Sequence, residues 1–193
     1  MREIVLPGDI VIVDEVNRDI LYKDRDNLYA TVISLYDPAT KTIVPLEQIW
    51  KPRVEEKVVG IVQELSRKGY IIWLHPLYKG VLRINKELKT GDAVYAEIKA
   101  INGGVIDLKL IRELSNYSII KIKSTRIPRV IGKNSSMINQ IKELSKSDIV
   151  VGMNGVIAVR GPNTEKVFSV LRLIEKEAHK TGLTEKVSKM LNE

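Results

Sequence analysis

Cysteine is absent from the 193-residue chain, which excludes disulfides, thiolate nucleophiles, iron-sulfur clusters and cysteine-ligated zinc. Histidine is scarce: His75 and His179 stand 104 positions apart, and neither lies beside a nucleophile or a metal-ligand pattern. Aromatic residues make up only 5%, so surfaces for stacking are few. No apolar run reaches the roughly 18 residues that a membrane helix needs. The start, MREIVLPGD, breaks its short apolar run with Pro-Gly-Asp instead of building a signal-peptide core. The cytoplasm is the expected compartment, with no membrane partner. There is no Walker loop, GxSxG, HExxH or Rossmann glycine fingerprint, so nothing calls for catalysis, a metal or a cofactor.

What is present is an ordinary globular composition, 44% hydrophobic and 28% charged, with an uneven distribution of charge. The chain carries +7 overall and has a pI near 9.5. Residues 1–108 sum to −1, 109–146 to +7 and 147–193 to +1. One short window thus holds the entire excess, either as a solvated basic face or as the footprint of a polyanion.

Three units follow from the patterning. Residues 1–53 contain short apolar or alternating runs separated by turn-rich pieces such as Asp24-Arg25-Asp26-Asn27, the pattern of a small β domain. Pro45 and Pro52 make the stretch around Trp50 a connector. Residues 54–111 hold five strand signals at 58–65, 70–74, 80–84, 93–101 and 105–110. In the fourth, Val94, Ala96, Ile98 and Ala100 share one face. Five short strands hide their edges most economically as a small closed OB-type barrel. Residues 112–182 change to a mixed order: a strand at 118–123, a short helix, a helix with Met137, Ile138, Ile141 and Leu144 on one face, two strands, and a helix over 164–180. Residues 183–193 are left as a C-terminal tail. The expected fold class is therefore α+β and multidomain. Each unit is near the size at which a lone domain is marginal, so packing between units or on a partner is expected.

The most informative string is Val130-Ile131-Gly132-Lys133-Asn134-Ser135-Ser136-Met137-Ile138. It resembles the KH signature VIGxxGxxI, and the element order is that of a type I KH fold. In that family the loop between the helices brings backbone N–H groups against about four nucleotides of single-stranded nucleic acid. Small residues allow the close approach, and Lys133 adds a point charge. Ser135 stands where the signature has its second glycine, and its Cβ disfavours positive φ. The string Val151-Gly152-Met153-Asn154-Gly155 reads first as a hairpin device, with Gly152, Asn154 and Gly155 as structural turn residues.

A small β unit, an OB-fold of the S-one type and a single KH domain in that order resemble the RNA-binding cap subunits of the archaeal exosome. The resemblance is carried by Val5-Leu6-Pro7-Gly8-Asp9, Val44-Pro45-Leu46, Trp50-Lys51-Pro52, Val58-Val59-Gly60-Ile61-Val62, and above all Ile127-Pro128-Arg129-Val130-Ile131-Gly132 with Gly152-Met153-Asn154-Gly155. It implies a non-catalytic protein that binds single-stranded RNA. Such a protein sits, in three copies, on a hexameric ring of RNase PH-type subunits and guides the RNA 3' end inward, with the N-terminal unit docking on the ring. The candidate RNA contacts are then Arg67, Lys68, Tyr70, Lys79 and Arg83 in the barrel, Lys121, Lys123, Arg126 and Arg129 before the loop, and Gly132, Lys133 and Asn134 within it. Tyr70 and Trp73 are an odd number of positions apart on one strand, so at least one of them faces the core. Two other readings stay open: an S-one/KH factor of transcription or translation, and a structural assembly subunit that has lost RNA contact.

Overall fold

The computed structural model describes residues 2–17, 20–46, 48–178 and 182–192. His179 and Lys180, expected within the last helix, lie outside the described residues. Two compact units result, Met1–Ile49 and Trp50–Glu193.

In the first unit, β1 (Glu3–Val5), β2 (Ile10–Val11), β3 (Leu21–Asp24), β4 (Asn27–Ala30), β5 (Ser34–Asp37) and β6 (Thr42–Pro45) form two antiparallel three-stranded sheets. Their orders are β1-β5-β6 and β2-β4-β3. Val5, Val11, Ile20, Leu21, Ala30 and Tyr36 make the core, and the Tyr36 hydroxyl donates to the Ile12 carbonyl at 2.8 Å. Both sheets also carry apolar residues across neighbouring strands on an exposed face. Ile4 (64% exposed) and Val44 (49%) flank Leu35, and Ile10 (58%) and Tyr22 (61%) flank Tyr29.

The second unit begins with a closed barrel of β7 (Lys57–Ser66), β8 (Gly69–His75), β9 (Tyr78–Leu82), β10 (Ala93–Asn102) and β11 (Val105–Glu113). β9 and β11 run parallel, and β10 closes onto β7, which is the OB arrangement. Val94, Ala96 and Ile98 fill the interior as the alternation requires. A bulge between Ile98 and Ala100 then breaks the register, leaving Ala100 half-buried. The stretch around Trp50 lies outside the strands, between β6 and β7, as expected of a connector, but Trp50 itself is 7% exposed within the barrel core and its Nε1 donates to Glu56 at 3.0 Å.

The rest is β12 (Ser118–Lys121), α1 (Ile127–Ile131), α2 (Ser136–Ser145), β13 (Asp148–Val151), β14 (Val156–Arg160), α3 (Thr164–Glu177) and α4 (Leu183–Asn192). The antiparallel sheet order is β12-β14-β13, and the sequence order is that of a type I KH domain. The expected tail is instead helical. Leu183, Val187 and Leu191, spaced at i, i+4 and i+8, are buried in the same core as α2 and α3, so α4 exists because its apolar stripe is covered.

This sheet is buried on both faces. Ile120, Ile149, Ile157 and Val159 meet the helices, while Val150, Val156 and Ala158 meet Val59, Ala93 and Leu114 of the barrel side. Double burial accounts for the unbroken apolar runs Ile149-Val150-Val151 and Val156-Ile157-Ala158-Val159, where a half-exposed sheet would alternate. Among the described residues, no helix is long and apolar enough to cross a membrane.

Candidate nucleic-acid interface

The loop between α1 and α2 is built from unusual backbone. Gly132 has φ 75° and ψ 172°. Asn134 and Ser135 follow with φ 51° and 62°, and the Gly132 N–H donates to the Pro128 carbonyl at 2.9 Å. Ser135 thus adopts the left-handed conformation that its Cβ disfavours, at a cost of about 1–2 kcal/mol. Lys133, Asn134 and Ser135 are exposed, so the lysine charge and the turn backbone face solvent.

Beside the loop runs a groove of about 550 Å³. Ile131, Ser135, Ile138 and Lys142 form its helical side, and the edge strand β13 forms its floor from Asp148 to Val151. The opposite wall belongs to the barrel: Tyr95, Ile111 and Arg112. Apolar surface for base faces, a charged loop for phosphates and an edge strand for base edges are the ingredients of single-strand recognition.

Asp148 sits at the start of β13 in a polar knot. The Tyr117 hydroxyl donates to its Oδ2 at 2.5 Å, and Arg112 Nη1 lies 3.2 Å from the same oxygen. Burial pushes this carboxyl up, but the Tyr117 hydroxyl and the charges of Arg112 and Lys142 outweigh it and hold the group below the ordinary aspartate value. Arg112 and Arg160 lie 5.6 and 4.7 Å from the centre of the Tyr117 ring.

The expected turn residues turn out to join the two folds. Asn154, 5% exposed, donates from Nδ2 to the carbonyls of Val59 (2.9 Å) and Leu74 (2.7 Å). Its Oδ1 accepts the Val59 N–H at 3.3 Å, and the neighbouring Met153 N–H donates to the Lys57 carbonyl at 2.9 Å. A Cβ on Gly152 would lie 2.5 Å from Val59 N, so only glycine admits this approach. Gly155 turns the hairpin at φ 83°.

The remaining candidates divide. Arg67, Lys68 and Lys79 are exposed on the barrel, and Arg83 is paired with Asp107 at 2.6 Å. Tyr70 is corrected: it is 6% exposed inside the barrel, and its hydroxyl accepts the Leu88 N–H at 3.0 Å, so it offers no face to a base. Its strand neighbour Trp73 points to the other side and carries the Lys121 ammonium 3.8 Å from a ring centre. Arg129 Nε donates to the Ala178 carbonyl at 2.8 Å and Arg126 is half-buried, whereas Lys123 is exposed and it is its backbone N–H that donates to Glu175, at 2.7 Å. Part of the +7 window is therefore spent holding the fold. Among the described residues no His/Cys/Asp/Glu cluster could hold a metal.

The KH domain family model matches residues 117–176. Over its full length the chain is 32% identical to the exosome complex component Rrp4 of Picrophilus torridus, covering 93% of that protein. Over 98% of its length it is 33% identical to the component of the same name from Pyrococcus furiosus, covering 83% of it. The chain belongs to the Rrp4 family. A crystal structure provisionally described as that of an exosome complex RNA-binding protein superposes at TM-score 0.68 and 24% identity, over 75% of this chain and 95% of that one, which shows a shared fold.

Sequence reasoning missed four polar groove residues of this Rrp4-family chain, Tyr95, Arg112, Lys142 and Asp148. Lys142 was within reach, one turn beyond Ile138 on the same face of α2. Tyr95 and Arg112 are cross-strand partners, and their presence in the groove depends on how the barrel meets the KH sheet. Ser135→Gly should relieve the left-handed strain and, after the extra flexibility of the unfolded glycine, raise stability by about 0.5–1 kcal/mol. Thermal melts of the two proteins check this; a lower Tm for the glycine variant would contradict it.

Proposed function

We propose that the chain is a non-catalytic RNA-binding subunit of an exosome. In this reading it captures single-stranded RNA and guides the 3' end into a ring of RNase PH-type subunits, three copies serving one hexameric ring. The KH-type loop beside the composite groove carries the reading, and membership of the Rrp4 family supports the assembly. Residues 1–53 are assigned to ring docking, 54–111 to the S-one type barrel and 112–182 to the KH domain. The exposed apolar residues Ile4, Val44, Ile10 and Tyr22 support the docking assignment, because such rows on a small sheet are covered in an assembly.

Phosphate contacts should dominate affinity. If about three to five phosphates are engaged, log K against log salt falls with a slope of about −2 to −3.5, at about −0.7 per phosphate. Lys133→Glu is expected to weaken short single-stranded RNA about tenfold at low salt and to flatten that slope by about 0.7–1.4, while Tm stays unchanged because the side chain is exposed. Fluorescence anisotropy titrations across a salt series measure both. A flat salt response, or unchanged affinity in the variant, would remove the loop from the RNA path. Size exclusion with purified RNase PH-type rings tests the assembly half: no co-elution would refute it.

A further inference from the structure

A carboxylate is a costly neighbour for a polyanion, yet Asp148 lines the groove assigned to RNA. It is also anchored by two side chains. Both of its protein partners, the Tyr117 hydroxyl and the Arg112 guanidinium, use Oδ2, and Tyr117 is itself flanked by Arg112 and Arg160. An ionised carboxylate accepts about four hydrogen bonds, and Oδ1 takes none from the described residues. The acceptor is therefore fixed in place with capacity to spare. Arg112 and Lys142, lining the same groove, offset its charge so that the sugar-phosphate chain is not repelled. Ile111, Ile131 and Val151, each at least partly exposed in the same lining, supply apolar surface for a base face beside it.

We propose that Asp148 is the base-reading acceptor of this groove, selecting RNA that presents an exocyclic amino group at this point over RNA that presents uracil. The inference rests on the RNA-binding reading of the groove. Adenine N6, cytosine N4 and guanine N2 are N–H donors that a fixed carboxylate oxygen receives. Uracil offers one N–H between two carbonyl oxygens, both of which repel a carboxylate. Arg112 positions the acceptor, so the barrel takes part in reading a base bound by the KH half. If Asp148 serves only to hold the barrel against β13, its removal lowers stability and weakens every RNA alike.

The experiment uses the full chain and short labelled homo-oligomers of A, C and U. The wild type should bind A and C about tenfold more tightly than U, and Asp148→Asn should bring the three within about twofold of one another. Oligomers of purine riboside, which is adenosine without its amino group, probe the same contact with no change to the protein. They should bind the wild type about tenfold more weakly than oligo(A). Equal affinities for A, C and U, full affinity for purine riboside, or a preference kept in Asp148→Asn would each overturn the assignment. If Lys133→Glu still weakens all three RNAs in that event, RNA binding at the groove stands and only the base reading falls. If no oligomer binds the wild type, the RNA reading fails and this inference with it.

Discussion

Asn154→Leu is expected to lower the unfolding free energy of the 50–193 unit by about 3–5 kcal/mol. Leucine has the same branching and number of side-chain heavy atoms, so it removes the amide without leaving a cavity, its bulkier methyl groups adding to the cost. The side chain meets three backbone groups far away in sequence: the N–H and C=O of Val59 and the C=O of Leu74. All three lie where the KH hairpin closes on β7 and β8, and Asn154 itself is 5% exposed. A buried polar group that loses its partner costs about 1–3 kcal/mol, and three such groups, each near the low end of that range, set the estimate. The barrel and the KH sheet should also lose part of their coupling. Urea unfolding followed by tryptophan fluorescence and by far-UV circular dichroism should then give separated transitions where the wild type gives one. Trp50 reports on the barrel core and Trp73 on the junction. Asn154→Asp should be equally harmful, since it keeps the acceptor for Val59 N–H but sets a negative charge against two carbonyl oxygens. An unchanged midpoint in both variants would mean that the apolar contacts of Val59, Ala93 and Leu114 with the KH sheet suffice alone.

How much of this was visible in the sequence depends on the range of the interaction. The KH order and the loop were legible because a glycine, a lysine and the apolar spacing of Met137, Ile138 and Ile141 all sit within one short segment. The barrel was legible for a similar reason, as period-two alternation in β10 survives until the bulge after Ile98. Parity separated Tyr70 from Trp73, but only the register of the closed barrel decides which of them is inside. Asn154 looked like a turn residue because a hairpin is the local use of Asn-Gly, and its partners Val59 and Leu74 are 95 and 80 residues away. The same limit applies to charge. A count assigns Arg112, Lys121 and Arg129 to one basic face, whereas their partners Asp148, Trp73 and Ala178 are known only from packing. The helix α4 is a different case. Its stripe of Leu183, Val187 and Leu191 is plain in the sequence, but a ten-residue segment is marginal as an isolated helix and is held here by the core that covers that stripe.

The second large effect is expected at Gly132→Val, which should destabilise the KH half by about 3–4 kcal/mol and abolish the loop's grip on RNA. Two independent penalties meet at this position. With φ 75° and ψ 172° the backbone occupies a region essentially restricted to glycine, and forcing a substituted residue there costs about 1–3 kcal/mol. A Cβ would also fall 2.8 Å from both the Cβ and the backbone nitrogen of Met137. Met137 is 8% exposed and packed in the core, so relief requires α2 itself to shift, a further overpacking cost of about 1–3 kcal/mol. The branched valine, stiff at χ1, has the least freedom to escape. Comparison with Lys133→Glu separates geometry from charge. Both variants should bind RNA poorly, but Gly132→Val should do so with a lowered Tm and Lys133→Glu with an unaltered one. If Gly132→Val keeps the wild-type Tm and affinity, the backbone of this turn is not the rigid cradle that its dihedral angles describe, and RNA affinity at the groove must come from the side chains of Lys142 and Arg112 instead.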